Sequence, residues 1–122
     1  MTPIDSLDDP RLADYRSLKT TNHTRWSGRL VGEGRLVVER LIESELVIHS
    51  FLIVEDEWEP LAPRLPAGVP AFVVSKELGR QLVGFEFHQG VLASAARPVA
   101  PTLDELLSDA PNRLTLAVCA RV

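Results

Sequence analysis

Arg25-Trp26-Ser27-Gly28-Arg29 sets two guanidinium groups on either side of an indole in a polar stretch of chain. Unpaired bases stack on aromatic rings and phosphates pair with arginine, so this combination suits single-stranded or looped RNA. A plainer reading stands beside it, in which Trp26 anchors the core while the arginines stay solvated. No other segment offers a comparable constellation, and the chain presents no candidate catalytic centre. Gly28, Gly32 and Gly34 match neither a dinucleotide fingerprint nor a P-loop, and Glu33 among them would repel a phosphate. They read as a tight turn between a strand and a helix.

His23, His49, His88 and Cys119 lie far apart and lack the paired spacing of a metal site. His49 falls in an apolar stretch and reads as a hydrogen-bonded core histidine, and Cys119 as a small hydrophobe. Glu55, Asp56, Glu57 and Glu59 crowd together, which is the pattern of a solvated surface.

These residues must be held by a chain of 122 residues, 45% apolar and 25% charged, an ordinary composition for one globular domain. That length buries roughly two-thirds of the unfolded surface, enough for one core without staples. A single cysteine forbids an internal disulfide and points to a reducing, cytoplasmic setting. The N-terminus lacks an export signal, and the longest apolar run, from Leu46 to Val54, is too short to cross a bilayer. The expectation is a soluble protein with no membrane partner.

The net charge of −4 argues against coating nucleic acid by bulk electrostatics. Its distribution is uneven. Arg11, Arg16, Lys19, Arg25, Arg29, Arg35 and Arg40 face only Asp14, Glu33 and Glu39 within residues 11–40, whereas acids predominate elsewhere. A basic patch on an acidic body and a simple scatter of charge are both compatible with that pattern.

Asp8-Asp9-Pro10 starts a helix expected over residues 9–19. A loop over 20–28 leads to a short strand at Arg29–Val31 and then to the clearest helix, 35–44, with Val37, Val38, Leu41 and Ile42 on one arc and Leu36 outside it. Residues 46–54 read as a strand buried on both faces. Residues 55–68 read as an acidic, proline-rich loop with at most one helical turn. A strand at 69–74, a helix capped by Ser75, a strand at 91–96, a helix capped by Thr102 and a strand at 114–119 follow. This alternation specifies an α/β domain, a three-layer α/β/α sandwich with a mostly parallel or mixed sheet. Because the chain ends just after an apolar strand, residues 1–112 are expected to form the domain and 113–122 to begin a truncated neighbour.

Three stretches carry a family resemblance. Asp9-Pro10-Arg11-Leu12 leads to Tyr15 and Leu18. Arg25 precedes an apolar strand that runs into Glu33-Gly34 and a helix. His88-Gln89-Gly90-Val91-Leu92-Ala93 enters a later strand. In order and spacing across residues 9–96, these resemble the N-terminal substrate-binding domain of SpoU-type (TrmH-type) tRNA/rRNA 2′-O-ribose methyltransferases. Asp9 stands where that family has asparagine, and Gly32 where it has a bulky apolar residue.

The resemblance implies a ribosomal-protein-like fold that grips structured RNA, tRNA or rRNA. S-adenosylmethionine would bind a separate C-terminal knotted domain, and this domain would hold no cofactor. It also implies that the fragment is a monomer and the full-length protein a homodimer. Arg25, Arg29 and Arg35 become the first candidates for phosphate contact, with Trp26 between them; Arg11, Arg16 and Lys19 come second. Glu33 and Gly34 would shape the turn, and Gln89 and Gly90 the start of the strand at 91–96. A stand-alone kink-turn-type RNA adapter and a protein-interaction domain using the acidic face are the alternatives.

Overall fold

The computed structural model describes residues 1–18 and 27–108, together with the isolated positions 111, 113, 115 and 117. Lys19, His23, Arg25, Trp26, Cys119 and all but positions 115 and 117 of the strand expected at 114–119 lie outside the described residues.

A run of branched and aromatic residues makes β3 (Ile48–Val54) the central strand of a five-stranded mixed sheet. On one side β3 pairs in parallel with β4 (Ala71–Val74), which pairs in parallel with the two-residue strand β1 (Thr2–Pro3). On the other side β3 pairs antiparallel with β5 (Val91–Ala96), which pairs antiparallel with β2 (Arg29–Glu33) at the far edge.

Alternation along the strands splits the core in two. Leu52, Val54, Phe72, Val74 and Leu92 pack beneath the N-terminal segment, where Leu12 and Tyr15 are buried, and helix α3 (Lys76–Val83). Phe51, Ile53, Ala71, Val91 and Ala93 pack beneath α1 (Arg35–Glu43) and α2 (Glu55–Leu61), through Val38 and Leu61. The result is the expected three-layer sandwich. A last helix, α4 (Leu103–Ser108), is capped by Thr102, whose Oγ1 accepts from the Glu105 amide at 3.2 Å. All six of its residues are exposed.

Four expectations change in detail. The first helix is a short 3₁₀ turn, Pro10–Tyr15, capped by Asp9. It stops because Arg16 is extended and Ser17 adopts a positive φ of 48°, with the Ser17 amide donating to the Leu82 carbonyl of α3 at 2.8 Å. The central strand begins at Ile48 rather than at residue 46, and Val47 is exposed. His49, expected in the core, is half-buried at a bulge between the Ile48–Ala95 and Ser50–Ser94 pairs. The acidic stretch expected to be a loop is helix α2. Glu55, Asp56 and Glu57 complement the positive end of its dipole, and Trp58 and Leu61 turn inward at a spacing of three. The strand β1 has no sequence signature, since two residues, one of them proline, carry no periodicity.

Gly32 sets how closely α1 approaches the sheet. A Cβ there would lie 2.8 Å from Leu41 Cδ1 and 2.9 Å from Val37 Cγ1.

Two polar groups sit inside the first core layer. Ser50 and Ser94 are cross-strand partners, both buried, and Tyr15 Oη lies 2.7 Å from Ser50 Oγ. Burial pushes the Tyr15 phenol well above its ordinary range, so it stays neutral and able to donate. Replacing Tyr15 by Phe strands the Ser50 hydroxyl and is expected to destabilise by about 1–3 kcal/mol. In urea denaturation, Tyr15→Phe combined with Ser50→Ala should lose less than the sum of the two single losses.

Candidate nucleic-acid interface

Of the seven residues singled out in the sequence, Arg11, Arg16, Arg29 and Arg35 lie in the described part. Each meets an acid. Arg11 Nε and Nη2 donate to the Asp9 carboxylate at 2.9 and 2.6 Å, and its guanidinium lies 5.9 Å from the centre of the Phe72 ring. Arg16 donates to the Asp9 carbonyl at 2.8 Å and lies 3.7 Å from Asp8. Arg29 pairs with Asp14, and Arg35 with Glu57. Arg40, Arg64 and Arg80 likewise pair with Glu43, Glu39 and Glu77. Among the described residues the charge is therefore scattered in local pairs rather than gathered into one basic face.

Arg29 and Arg35 nevertheless share one element. They flank the edge strand β2, with Arg29 as its first residue and Arg35 just past its end. At the Arg29 end, Asp14 Oδ2 accepts from Ser94 Oγ at 2.6 Å and lies 3.8 Å from Arg29 Nε. Ser94 is fully buried, so this carboxylate is fixed by the sheet and in turn orients the arginine.

Arg97, which the sequence reading passed over, completes the corner. Its amide donates to the Gly28 carbonyl at 2.8 Å and its Nε to the Arg29 carbonyl at 3.1 Å. The side chain is exposed and makes no ion pair among the described residues. Only the antiparallel register, which sets Ala96 opposite Arg29, brings the two arginines together. No local sequence signal announces it.

At the other end of β2 the two glycine motifs converge. Gly34 adopts a φ of 95°, open to glycine alone at little cost, and its amide donates to the Val91 carbonyl at 2.9 Å. Gly90 has a φ of 63°, and a Cβ there would fall 2.9 Å from Glu57 Cγ. Gln89 lies against Gly34, and Glu57 accepts from Arg35 Nη2 at 2.7 Å. These residues shape the turns that start α1 and β5. Among the described residues, no three His, Cys, Asp or Glu side chains come together in a way that could hold a metal ion. No described helix is long and apolar enough to cross a membrane.

The architecture defines an α/β sandwich domain whose described cations are mostly held in local ion pairs, with Arg29 and Arg97 meeting at one end of the edge strand. That fold is shared with an S-adenosylmethionine-bound rRNA methyltransferase from Sinorhizobium meliloti, with a TM-score of 0.64 and 19% identity over 82% of this chain and 38% of that one. No family model matches the sequence. The chain is 28% identical over 108 residues to an uncharacterized tRNA/rRNA methyltransferase of Mycobacterium tuberculosis, and equally to one of Mycobacterium bovis. Each match covers 84% of this chain and 38% of the relative. This chain spans 38% of the length of those relatives.

The Asp9–Arg11 pair makes a pH prediction. The hydrogen bonds from Arg11 hold the Asp9 carboxyl down at about 2, against an ordinary 3.8. A depressed folded-state value means the stabilisation is whole above 3.8 and disappears as pH falls through about 2. In denaturant titrations, Asp9→Asn should be less stable than the parent at pH 6. The gap should close as pH drops below 3.8, and a gap independent of pH would contradict the assignment.

Proposed function

We propose that this domain holds structured RNA, tRNA or rRNA, for a SpoU-type 2′-O-ribose methyltransferase. Bond-making and S-adenosylmethionine binding fall, in this reading, to a part of the protein outside the domain, for which residues 113–122 are the proposed opening strand. The observation that carries the reading is the match to relatives named tRNA/rRNA methyltransferases along most of this chain but only a minor part of theirs. The Arg29–Arg97 corner supports it, because it sets an exposed arginine against the backbone of a second one at a strand end.

The domain's contribution is positional. Holding a ribose where a 2′-hydroxyl can be attacked converts a collision into an intramolecular arrangement, and such positioning supplies several kcal/mol of a barrier. Because most described arginines are already paired with acids, few are available to phosphates. A shallow salt dependence follows, set by the handful of counterions that are displaced. A cytoplasmic setting, a monomeric domain and a dimeric whole protein belong to the same proposal.

The test is a filter-binding titration of residues 1–122 against total tRNA and rRNA at several salt concentrations. Affinity should fall with salt with a logarithmic slope of roughly −1 to −3, as for a few phosphate contacts. Arg29→Ala combined with Arg97→Ala should weaken binding about tenfold, as expected when one or two phosphate contacts are removed. Calorimetry with S-adenosylmethionine should give no heat of binding. Binding that ignores salt and survives the double substitution would overturn the reading.

A further inference from the structure

Beside the edge strand β2 lies a groove of about 290 Å³. Its floor is apolar. Leu92 is buried, and Leu18, Val31 and Phe85 pack partly exposed against the same core layer. Its two polar lining residues carry opposite charge, Arg97 and Glu33. Register spaces their anchor points: Arg29, whose carbonyl Arg97 holds, is opposite Ala96, and Glu33 is opposite Leu92. The backbone positions of Arg29 and Glu33 therefore stand four strand residues apart, roughly 13 Å at about 3.3 Å per residue. Glu33 is exposed and makes no ion pair among the described residues.

We propose that this groove takes one unpaired nucleotide of the bound RNA, an inference that rests on the RNA reading above and gives it an address. The chemistry of the three parts selects that ligand. An apolar trough walled by a phenyl ring takes a flat ring system, because bases stack on aromatic faces whatever their identity. A guanidinium at one end takes the phosphate. A carboxylate at the other end accepts only, so it takes the N–H donors on a base edge and repels the phosphate, which gives the nucleotide one direction in the groove. A base within a duplex is stacked and paired and cannot enter, so the ligand must come from a loop or bulge. The volume is close to the roughly 300 Å³ at which small-ligand sites begin, room for a single nucleotide.

The probes are two RNA hairpins with the same stem, one fully paired and one with a single bulged guanosine, titrated against residues 1–122. The bulged hairpin should bind about tenfold tighter, the scale of one stacked base. Phe85→Ala should abolish that preference. Glu33→Gln, an exposed change that leaves the core intact, should reduce that preference several-fold. Should Phe85→Ala fail to fold, amide chemical shifts during titration with guanosine 5′-monophosphate decide instead. Perturbation at Val31, Glu33 and Phe85 supports the groove, and its absence from them overturns it. Equal binding of both hairpins by parent and variants would also overturn the groove while leaving RNA binding intact. Failure of both hairpins to bind would remove both the groove and the RNA reading.

Discussion

Two serines side by side in the middle of an apolar sheet face constrain much of this domain. Ser50 and Ser94 face each other across the central antiparallel pair and are shut away from water. A buried hydroxyl without a partner is expensive, and the strands offer these side chains none. Both partners come from adjacent residues of one 3₁₀ turn: Tyr15 meets Ser50, and Asp14 meets Ser94. The turn must therefore lie across the sheet at one height and in one direction. Once it does, the spare capacity of Asp14 faces Arg29, and the edge strand acquires an oriented cation. Core satisfaction and surface chemistry are thus two ends of one short chain of contacts.

That chain of contacts explains what could be read in advance. The helices starting at Arg35 and Ser75 and the strand at 91–96 were legible because apolar period and capping residues agree there. Helix α2 was not, because prolines and acids read as loop while the inward pair Trp58 and Leu61 is too short a pattern to outweigh them. Strand β1 is defined by its neighbour β4 and not by its own two residues. Gly34 and Gly90 both take a positive φ, and that the Glu-Gly and Gln-Gly motifs meet at one corner is a property of register.

The candidate site was legible in part for the same reason. Arg29 and Arg35 stand out in sequence because they border a strand with a motif at its end. Their acidic partners, Asp14 and Glu57, belong to other elements and are invisible until the fold is known. Arg97 is the extreme case. It sits in a proline-containing stretch without pattern, and only the antiparallel return of β5 sets it beside Arg29. Local composition records which charges exist; topology determines which of them neutralise one another.

The close approach of α1 to β2 over Gly32 carries a consequence for how this sequence can drift. The space beside that glycine is filled by Leu41 and Val37, so strand and helix share a single allotment of volume. A larger residue at 32 requires the ends of the Leu41 and Val37 side chains to move aside or shrink. Homologous sequences should therefore show these positions changing in concert, with lineages crossing between a bulky strand and a bulky helix through paired substitutions.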